Sequence, residues 1–431
     1  MADSTTARKA NVTAAAARLK RRYAAERRFR AYGFAAIAIA LGFLAILLTT
    51  IISKAATAFV SGEIALSVTF DPAEIDPEGH RDPKALAAAD YLGLAKRTLQ
   101  AKLGATDRAT MRQAASLLSG GVDEDLRRIV VADPSVIGTT RKVWLTASPD
   151  VDQTLKGHVP ADAAAEGARL SVNQQAWLAQ LKADGDAAIH FNRRFFSVGD
   201  SREPELAGLW GAVVGSFFSL AVTLMIAFPV GVAAAVYLEE FAPKNRFTDI
   251  IEVNINNLAA VPSIVFGLLG LAIFLNIFGL PRSSPLVGGL VLALICLPTI
   301  IIAGRAALKA VPPSIRHAAL GLGASRLQTV TDHVLPLAMP GIFTGTILGM
   351  AHALGESAPL LMIGMVAFIV DIPHSPLDPS AVLPVQVYLW ADSPERAFVE
   401  KTSGAIVVLL LFLALMNFGA IMMRKRFERR W

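Results

Sequence analysis

Six long apolar segments constrain this sequence more than any other feature. A membrane core of roughly 30 Å requires about 20 mainly apolar residues in a helix, because lipid cannot hydrogen-bond free backbone groups. The chain is 54% hydrophobic and 18% charged, whereas soluble domains are usually about 25% charged. The segments therefore predict an all-α polytopic membrane protein with six transmembrane helices, at approximately 32–53, 208–238, 253–278, 286–304, 337–369 and 403–423.

Two of these segments are longer than a single span requires. The second and the fifth contain prolines, Pro229 and Pro359, at which a helix can bend or break because proline lacks the backbone N–H. We therefore expect tilted or interrupted helices at these two places.

Lys and Arg are concentrated at both ends of the chain, in residues 1–31 and 424–431. Short segments rich in these residues stay in the cytoplasm, and an even number of spans places both ends on one side. The pattern predicts two cytoplasmic termini, with 239–252 and 305–336 inside and 370–402 outside. The basic cytoplasmic ends also account for the net charge of +6, so a nucleic-acid partner is not needed to explain it.

The first apolar segment has a second interpretation. Ala56, Thr57 and Ala58 form a small-x-small pattern, which is typical of a signal-peptide cleavage site. The long basic lead and the length of the apolar stretch favour a retained membrane anchor instead.

Residues 54–205 have the composition of a soluble domain and fall outside the membrane in this topology. Helical patterns near 84–102 and 164–182 accompany an apolar alternation that is typical of a strand. This alternation comprises Ile64, Leu66, Val68 and Phe70. We predict a small α+β extracytoplasmic domain.

The sequence offers little for catalysis or metal binding. Cys296 is the single cysteine, which excludes an intrachain disulfide and a cysteine-based metal site. His80, His158 and His190 are far apart and are interpreted as surface or loop residues. We expect no catalytic residue, no metal and no cofactor.

The segment 311–336 has the pattern of a compact helix-turn-helix. Pro312 and Pro313 end one helix, a glycine-containing turn follows, and Pro336 opens the next span. From this pattern alone, a plain connector and a surface for a partner both remain possible.

The same segment resembles the EAA loop of ABC-importer permeases, which docks into a groove on a cytoplasmic ATPase. Ala318, Ala319, Gly323, Leu335 and Pro336 match at the expected spacing, while His317 stands where Glu is usual and His333 where an aliphatic residue is usual. The resemblance implies a coupling loop composed of Arg316, His317, Ala318, Ala319, Gly323, Leu335 and Pro336.

Three ordered segments, 257–268, 297–301 and 353–360, look like the PstA permeases of phosphate importers. The resemblance spans about 206–423, and the insertion at 54–205 is similar to that of a longer PstA subgroup. It implies an inner-membrane subunit that moves inorganic phosphate by alternating access. The implied partners are a PstB-like ATPase pair, a PstC-like second permease and a PstS-like binding protein. The sequence has no GxxxxGK[ST] P-loop, so we expect ATP hydrolysis on a separate subunit.

Ionisable and polar residues within the spans are candidates for the solute path, because such groups are costly in lipid and usually face a cavity or an interior. His352 and Glu356 are four residues apart, and in relatives His352 is often Arg. Arg305 lies one turn after Ile302, where many relatives carry Arg; it either substitutes for that Arg or extends to the inner membrane interface without a role in the path. The candidate pathway residues are His352, Glu356, Ser357 and Arg305.

A recurrence of small residues on the fifth helix predicts a packing face rather than a site. These residues are Gly341, Gly345, Gly349 and Ala353.

Other functions remain alternatives. One is a permease for another oxyanion or small solute, and another is a membrane receptor whose outer domain senses a ligand. An integral-membrane enzyme would need a metal or nucleophile set that the sequence does not offer.

Overall fold

The computed structural model describes residues 2–159, 169–366 and 368–427, with only the backbone described for 2–18. Two compact units are present, Met1–Ser53 and Lys54–Trp431. The first unit is helical and belongs to a long helix, α1, which runs from Ala2 to Ala58.

The first part of the second unit is the α+β region that the sequence predicts. A three-stranded antiparallel sheet has the order β2-β1-β3, with β1 in the centre. The strands are β1 (Val60–Thr69), β2 (Thr140–Thr146) and β3 (Ala187–Phe191). The helices are α2 (Pro72–Ile75), α3 (Pro83–Ala88), α4 (Tyr91–Lys102), α5 (Arg108–Ala115), α6 (Val122–Ala132), α7 (Pro149–Leu155) and α8 (Val172–Ala183).

The alternation along β1 has the predicted effect. Ile64, Leu66 and Val68 are fully buried and join one core with residues of α4 and α6. The strand ends at Thr69, just before buried Phe70. The other predicted helical pattern begins later than expected, because α8 starts at Val172 behind a capping box formed by Ser171 and Gln174. Its predicted beginning at 164 lies outside the described residues.

The second part of the unit is helical. Its elements are α9 (Trp210–Val236), α10 (Arg246–Leu258), α11 (Ser263–Gly270), α12 (Pro285–Ala310), α13 (Pro313–Gly321), α14 (Arg326–Gln328), α15 (Leu335–Gly355), α16 (Ala358–Met362), α17 (Leu383–Ala391) and α18 (Ala397–Phe427). Wider π-helical turns extend α9 to Phe241 and α11 to Ile277, and join α14 to α15 across Thr329–Val334.

Five helices in the described part of the chain are long and apolar enough to cross a membrane. They are Leu19–Ala58, Trp210–Phe241, Pro285–Ala310, Arg326–Gly355 and Ala397–Arg426. The pair α10 and α11 makes a sixth candidate, but it is bent by 101°. The predicted all-α architecture is confirmed with five or six candidate spans, and the third predicted helix is the bent pair.

Two prolines account for the breaks. Pro262 precedes the first residue of α11 and has no N–H to continue the helix, so the chain turns between Leu258 and Ser263. The fifth predicted span, 337–369, ends early at Gly355 and resumes as α16, whose first turn contains Pro359. In contrast, α9 continues through Pro229.

The predicted small-residue face packs α15 against α12. A Cβ added at Gly341 would lie 2.6 Å from Cβ of Ala307, and one at Gly345 would overlap Cβ of Ala303. A Cβ at Gly349 would lie 3.7 Å from Thr299, which is an ordinary contact. The two helices therefore run antiparallel with their backbones in close approach.

Candidate functional site

The segment 311–336 forms the helix-turn-helix that the sequence predicts. Helix α13 ends at Gly321, and Gly323 has a φ of +90°, a conformation that strongly favours glycine. Ser325 then caps the next helix, because its hydroxyl accepts from the N–H of Gln328 while the Gln328 side chain accepts from the N–H of Ser325. The proline-limited start of α13 and the glycine turn after it are therefore where the spacing places them.

The turn projects apolar side chains outward. Leu322 is 90% exposed and Leu327 is 61% exposed, with Leu320 also exposed nearby. Among the predicted loop residues, His317, Ala318 and Gly323 are exposed, Ala319 is buried, and Leu335 and Pro336 are half-buried at the start of α15. Pro336 does not open a helix, because the π-helical turn Thr329–Val334 carries the helix from Arg326 into α15.

Arg316 anchors α13 to the helices on either side of it. Its Nε and Nη2 donate to the carboxylate of Glu240, with the shortest distance 2.6 Å from Nη2 to Oε1. Nη1 donates to the carbonyl of Val311 at 2.7 Å and Nη2 to that of Leu308 at 2.9 Å. One guanidinium thus satisfies the last carbonyls of α12 and a carboxylate at the end of α9.

Arg305 lies in a separate cluster of charged residues, in which it is paired with two glutamates. Its Nη2 lies 2.8 Å from Oε2 of Glu252, and its Nε lies 3.4 Å from Oε2 of Glu239. Lys309 also reaches Glu239, at 3.6 Å. Glu239, Glu240 and Glu252 were not predicted from the sequence, although the two adjacent acids directly after a long apolar run are visible in it.

The other predicted pathway residues lie where α15 ends. Nε2 of His352 is 3.3 Å from Oε1 of Glu356, and the imidazole is well exposed while the carboxylate is mostly covered. Glu356 is the residue that caps α15, and Ser357 begins α16 with its hydroxyl free of a capping bond. These three residues therefore form one polar break between two helices.

The structure does not bring Arg305 to this break. Because α12 and α15 are antiparallel with Gly341 beside Ala307 and Gly345 beside Ala303, Arg305 is level with 341–345. His352 is at least seven residues further along α15, which is roughly 10 Å of helix rise.

A second charged cluster, outside the sequence predictions, joins the α+β region to the last helix. Nζ of Lys156 lies 2.7 Å from both Oδ2 of Asp152 and Oε1 of Glu400, and all three side chains are buried. Gln153 also donates to Glu400 at 3.1 Å, and His158 lies 3.5 Å from it. His158 is therefore not the isolated residue that the sequence suggested.

Among the described residues, no group of three or more His, Cys, Asp or Glu side chains has the arrangement needed for a metal ion.

Two regions of the chain match known families. Residues 227–431 match the family described as binding-protein-dependent transport system inner membrane component, and residues 16–165 match a domain of unknown function, DUF3333. With its apolar helices and its exposed helix-turn-helix, the chain is a permease subunit of the binding-protein-dependent, ABC-importer class.

The sequence relatives narrow this class. The chain is 33% identical over 225 residues to "Phosphate transport system permease protein PstA 1" of Mycobacterium tuberculosis, covering 52% of this chain and 72% of the relative. It is 30% identical over 216 residues to PstA of Pasteurella multocida, covering 50% and 76%. The chain belongs to the PstA family of permeases, as a long form with an N-terminal insertion.

Solved structures with similar helices include the inward-facing MetNI methionine ABC transporter, with 20% identity, a TM-score of 0.42, and coverage of 51% of this chain and 98% of that one. A bacterial ABC transporter for alginate aligns with 13% identity and a TM-score of 0.38, covering 51% and 79%. These scores are low, so family membership rests on the sequence relatives.

Membership of the PstA family determines the cellular location of the chain and the general classes of its partners. The chain is a multi-pass protein of the inner membrane, and the family works with an ATPase and a substrate-binding protein.

Proposed function

We propose that this chain carries inorganic phosphate inward across the bacterial inner membrane as one permease of an ATP-driven importer. The observation that carries this proposal is the identity of 30–33% to phosphate permeases over the helical half of the chain. Phosphate is a substrate named for those relatives.

We place both termini and the turn at 322–325 in the cytoplasm, and residues 54–205 on the outer side as a separate extracytoplasmic domain. The basic ends of the chain support this orientation, since short basic segments are retained inside.

The turn and α13 form the coupling loop in this proposal. Exposed Leu320, Leu322 and Leu327 give the motor subunit an apolar surface, and exposed apolar side chains that cluster at a tip mark interaction sites. Arg316 makes the loop rigid, so a force on α13 is passed to α9 and α12. His317, Ala318, Ala319, Gly323, Leu335 and Pro336 supply the shape of the loop. ATP hydrolysis itself takes place on a separate PstB-like subunit.

We assign the solute path to the polar break at His352, Glu356 and Ser357. The exposed imidazole attracts an anion when it is protonated, and Glu356 holds it in position. Ser357 offers a hydroxyl donor at the start of α16. Arg305 belongs to the inner end of the path, where Glu239 and Glu252 hold it in the present conformation.

One chain offers few cationic groups to an anion in transit. We therefore infer a complex with a PstC-like second permease, two PstB-like ATPases and an outer PstS-like phosphate-binding protein, with lipid around the apolar helices.

Purification of the complex and an uptake assay test the proposal. The tagged chain, isolated from membranes after phosphate starvation, should bring an ATPase and a second permease. Proteoliposomes of that complex should take up radiolabelled phosphate only with ATP and binding protein. Absence of an ATPase from the complex would refute the importer assignment.

A permease for another oxyanion is the second candidate, because His352 replaces an Arg that the resemblance leads one to expect. Competition with arsenate, sulfate and molybdate separates the two. Phosphate uptake should be inhibited strongly by arsenate, whereas stronger inhibition by sulfate or molybdate would assign the path to that anion.

A further inference from the structure

The outer domain contains a cavity of about 650 Å³ that no step of solute transport uses. Its floor is the face of the sheet opposite the apolar core. The strand register pairs Ser61 with His190, Glu63 with Thr146 and Ala65 with Trp144, so these residues share this face. Glu205, in the segment that leads into α9, closes one side.

One carboxylate on the inner wall, that of Glu205, has an oxygen that accepts no hydrogen bond from its neighbours. Glu205 is only 5% exposed, and its Oε1 accepts from the Ser119 hydroxyl at 2.6 Å. Its Oε2 is buried without a hydrogen-bond partner in the described part of the chain. A buried, unsatisfied carboxylate oxygen favours a ligand that brings a hydrogen-bond donor.

The other two carboxylates on the wall already have partners. Asp125 is matched by Arg194, at 2.5 Å, and accepts from the Thr146 hydroxyl at 2.8 Å. Glu63 lies 3.0 Å from Nδ1 of His190. The unused acceptor is therefore specific to Glu205 and is not a property of a general acidic patch.

The rim of the cavity has the opposite charge. Arg128 and Arg193 are exposed at its edge. Nη2 of Arg128 lies 3.5 Å from Oδ1 of Asp125, whereas within the described residues the Arg193 guanidinium makes no hydrogen bond or ion pair. The indole of Trp144 also lines the cavity, edge-to-face with His190 at a centroid distance of 4.4 Å. An aromatic face beside acids also suits an ammonium group.

We propose that this cavity binds a small zwitterion of the amino-acid class, with its ammonium group on Glu205 and its anionic group on Arg193 and Arg128. A simple amine would be repelled by the two rim guanidiniums, and a simple anion by the carboxylates of the inner wall. A molecule that carries both charges matches both ends at once.

Calorimetric titration of the full-length chain in lipid nanodiscs tests the site. Burial raises the pKa of Glu205 to about 7, so the titration is run at pH 8, where most of this carboxyl is ionised. The probes are glycine, β-alanine and γ-aminobutyrate, which place the two charges at increasing separation. Ethylamine and acetate each carry one of the two charges alone. At least one zwitterion should bind saturably, and about tenfold more tightly than either single-charge probe.

Variants identify the residues responsible. Glu205→Gln keeps an acceptor for Ser119 but removes the charge, and it should weaken zwitterion binding about tenfold or more. Glu203→Gln is the matched control, since Glu203 is exposed two residues away and does not line the cavity; its binding should match that of the wild type. Arg193→Met should also weaken binding.

Several results would overturn the proposal: no saturable binding of any zwitterion, acetate or ethylamine binding as tightly as the best zwitterion, or Glu205→Gln binding as well as Glu203→Gln. None of these results bears on phosphate transport, because the transport assay and this titration are independent.

Discussion

Arg316 and Glu240 hold α13 to the end of α9 through a two-pronged contact. Nη2 lies 2.6 Å from Oε1, and Nε lies 3.2 Å and 3.3 Å from the two carboxylate oxygens. Arg316 is on the segment proposed to receive the ATPase stroke, and Glu240 continues a membrane helix. In the proposed mechanism, this pair passes the ATPase movement from α13 to the membrane helix α9.

Arg316→Ala should impair transport without preventing membrane insertion. The change leaves Glu240 and the carbonyl of Val311 without the Arg316 donor and removes one of two donors to the carbonyl of Leu308, at a cost of about 1.5–3 kcal/mol. We expect ATP-driven uptake in proteoliposomes to fall about tenfold or more while some ATPase activity persists. Arg316→Lys should also be impaired, because lysine cannot form the fork.

Arg326→Ala is the control for that prediction. Arg326 lies on the same exposed tip but forms no ion pair among the described residues. Equal uptake in the Arg316 and Arg326 variants would mean that the link to Glu240 does not carry the stroke.

The backbone conformation at position 323 requires glycine, whereas the space around the residue does not. Its φ is +90°, and no atom lies within 4 Å of an added Cβ. Gly323→Ala should therefore strain the turn by about 1 kcal/mol, and Gly323→Asn by less. A bulky residue such as Trp at this position should leave the protein inserted in the membrane but uncouple ATP hydrolysis from uptake.

Gly321→Ala provides the comparison, since Gly321 has equally open surroundings without a positive φ. We expect wild-type uptake and normal co-purification of the ATPase for this variant. If Gly323→Ala and Gly321→Ala behaved alike, the left-handed turn would have no role in coupling.

Gly345 should tolerate no side chain unless Ala303 is reduced in size. Because an added Cβ would overlap that of Ala303, Gly345→Ala should push α15 away from α12 and destabilise the protein by about 1–3 kcal/mol. Thermal unfolding in detergent measures this. The double variant Gly345→Ala with Ala303→Gly should recover most of the loss.

Gly349→Ala tests whether the effect is specific to close contacts. Its added Cβ would make an ordinary contact with Thr299 at 3.7 Å, so the unfolding temperature should barely change. A loss as large as that of Gly345→Ala would contradict the packing explanation.

The sequence predicts those parts of the fold that depend on local pattern. Apolar length gives the spans, the alternation at Ile64, Leu66 and Val68 gives β1, and the four-residue spacing from Gly341 gives the packing face. Proline and glycine likewise mark the ends of α13.

Contacts between distant segments could not be predicted in this way. Glu240 and Arg316 are 76 residues apart, and Lys156 and Glu400 are 244 residues apart. No periodicity relates such pairs, because their meeting depends on how the helices pack. For the same reason the sequence grouped Arg305 with His352, although the antiparallel packing of α12 and α15 separates them.

Lys156→Met should destabilise the junction between the α+β region and α18. The lysine is 1% exposed and lies between Asp152 and Glu400, so its removal leaves two buried carboxylates facing each other. Breaking a buried ion pair in this way costs about 3–5 kcal/mol. The unfolding temperature should drop accordingly, and Glu400→Gln in the same chain should restore part of it.

Lys182→Met serves as the matched change, since Lys182 is exposed on α8 and forms no ion pair among the described residues. It should leave the unfolding temperature unchanged. If Lys156→Met were equally harmless, the buried cluster would not hold the domain to the helix.

Glu205 should make stability depend on pH in the opposite sense to an ordinary salt-bridged acid. Burial raises its pKa from the usual 4.5 to about 7, so between these values the folded protein keeps a proton that the unfolded chain has lost. Stability therefore falls as pH rises through this window, by about 3 kcal/mol in total, and falls no further above it.

Glu205→Gln resembles the protonated carboxyl and lacks this loss of stability. Unfolding midpoints are measured at pH 5, 6, 7 and 8. The difference in midpoint between Glu205→Gln and the wild type should increase up to pH 7, in favour of the variant, and stay constant above it. Glu203→Gln should keep a pH dependence close to that of the wild type, slightly smaller because the Glu203 charge also raises the pKa of Glu205. A difference between Glu205→Gln and the wild type that did not change with pH would show that Glu205 is ionised in the folded protein throughout this range.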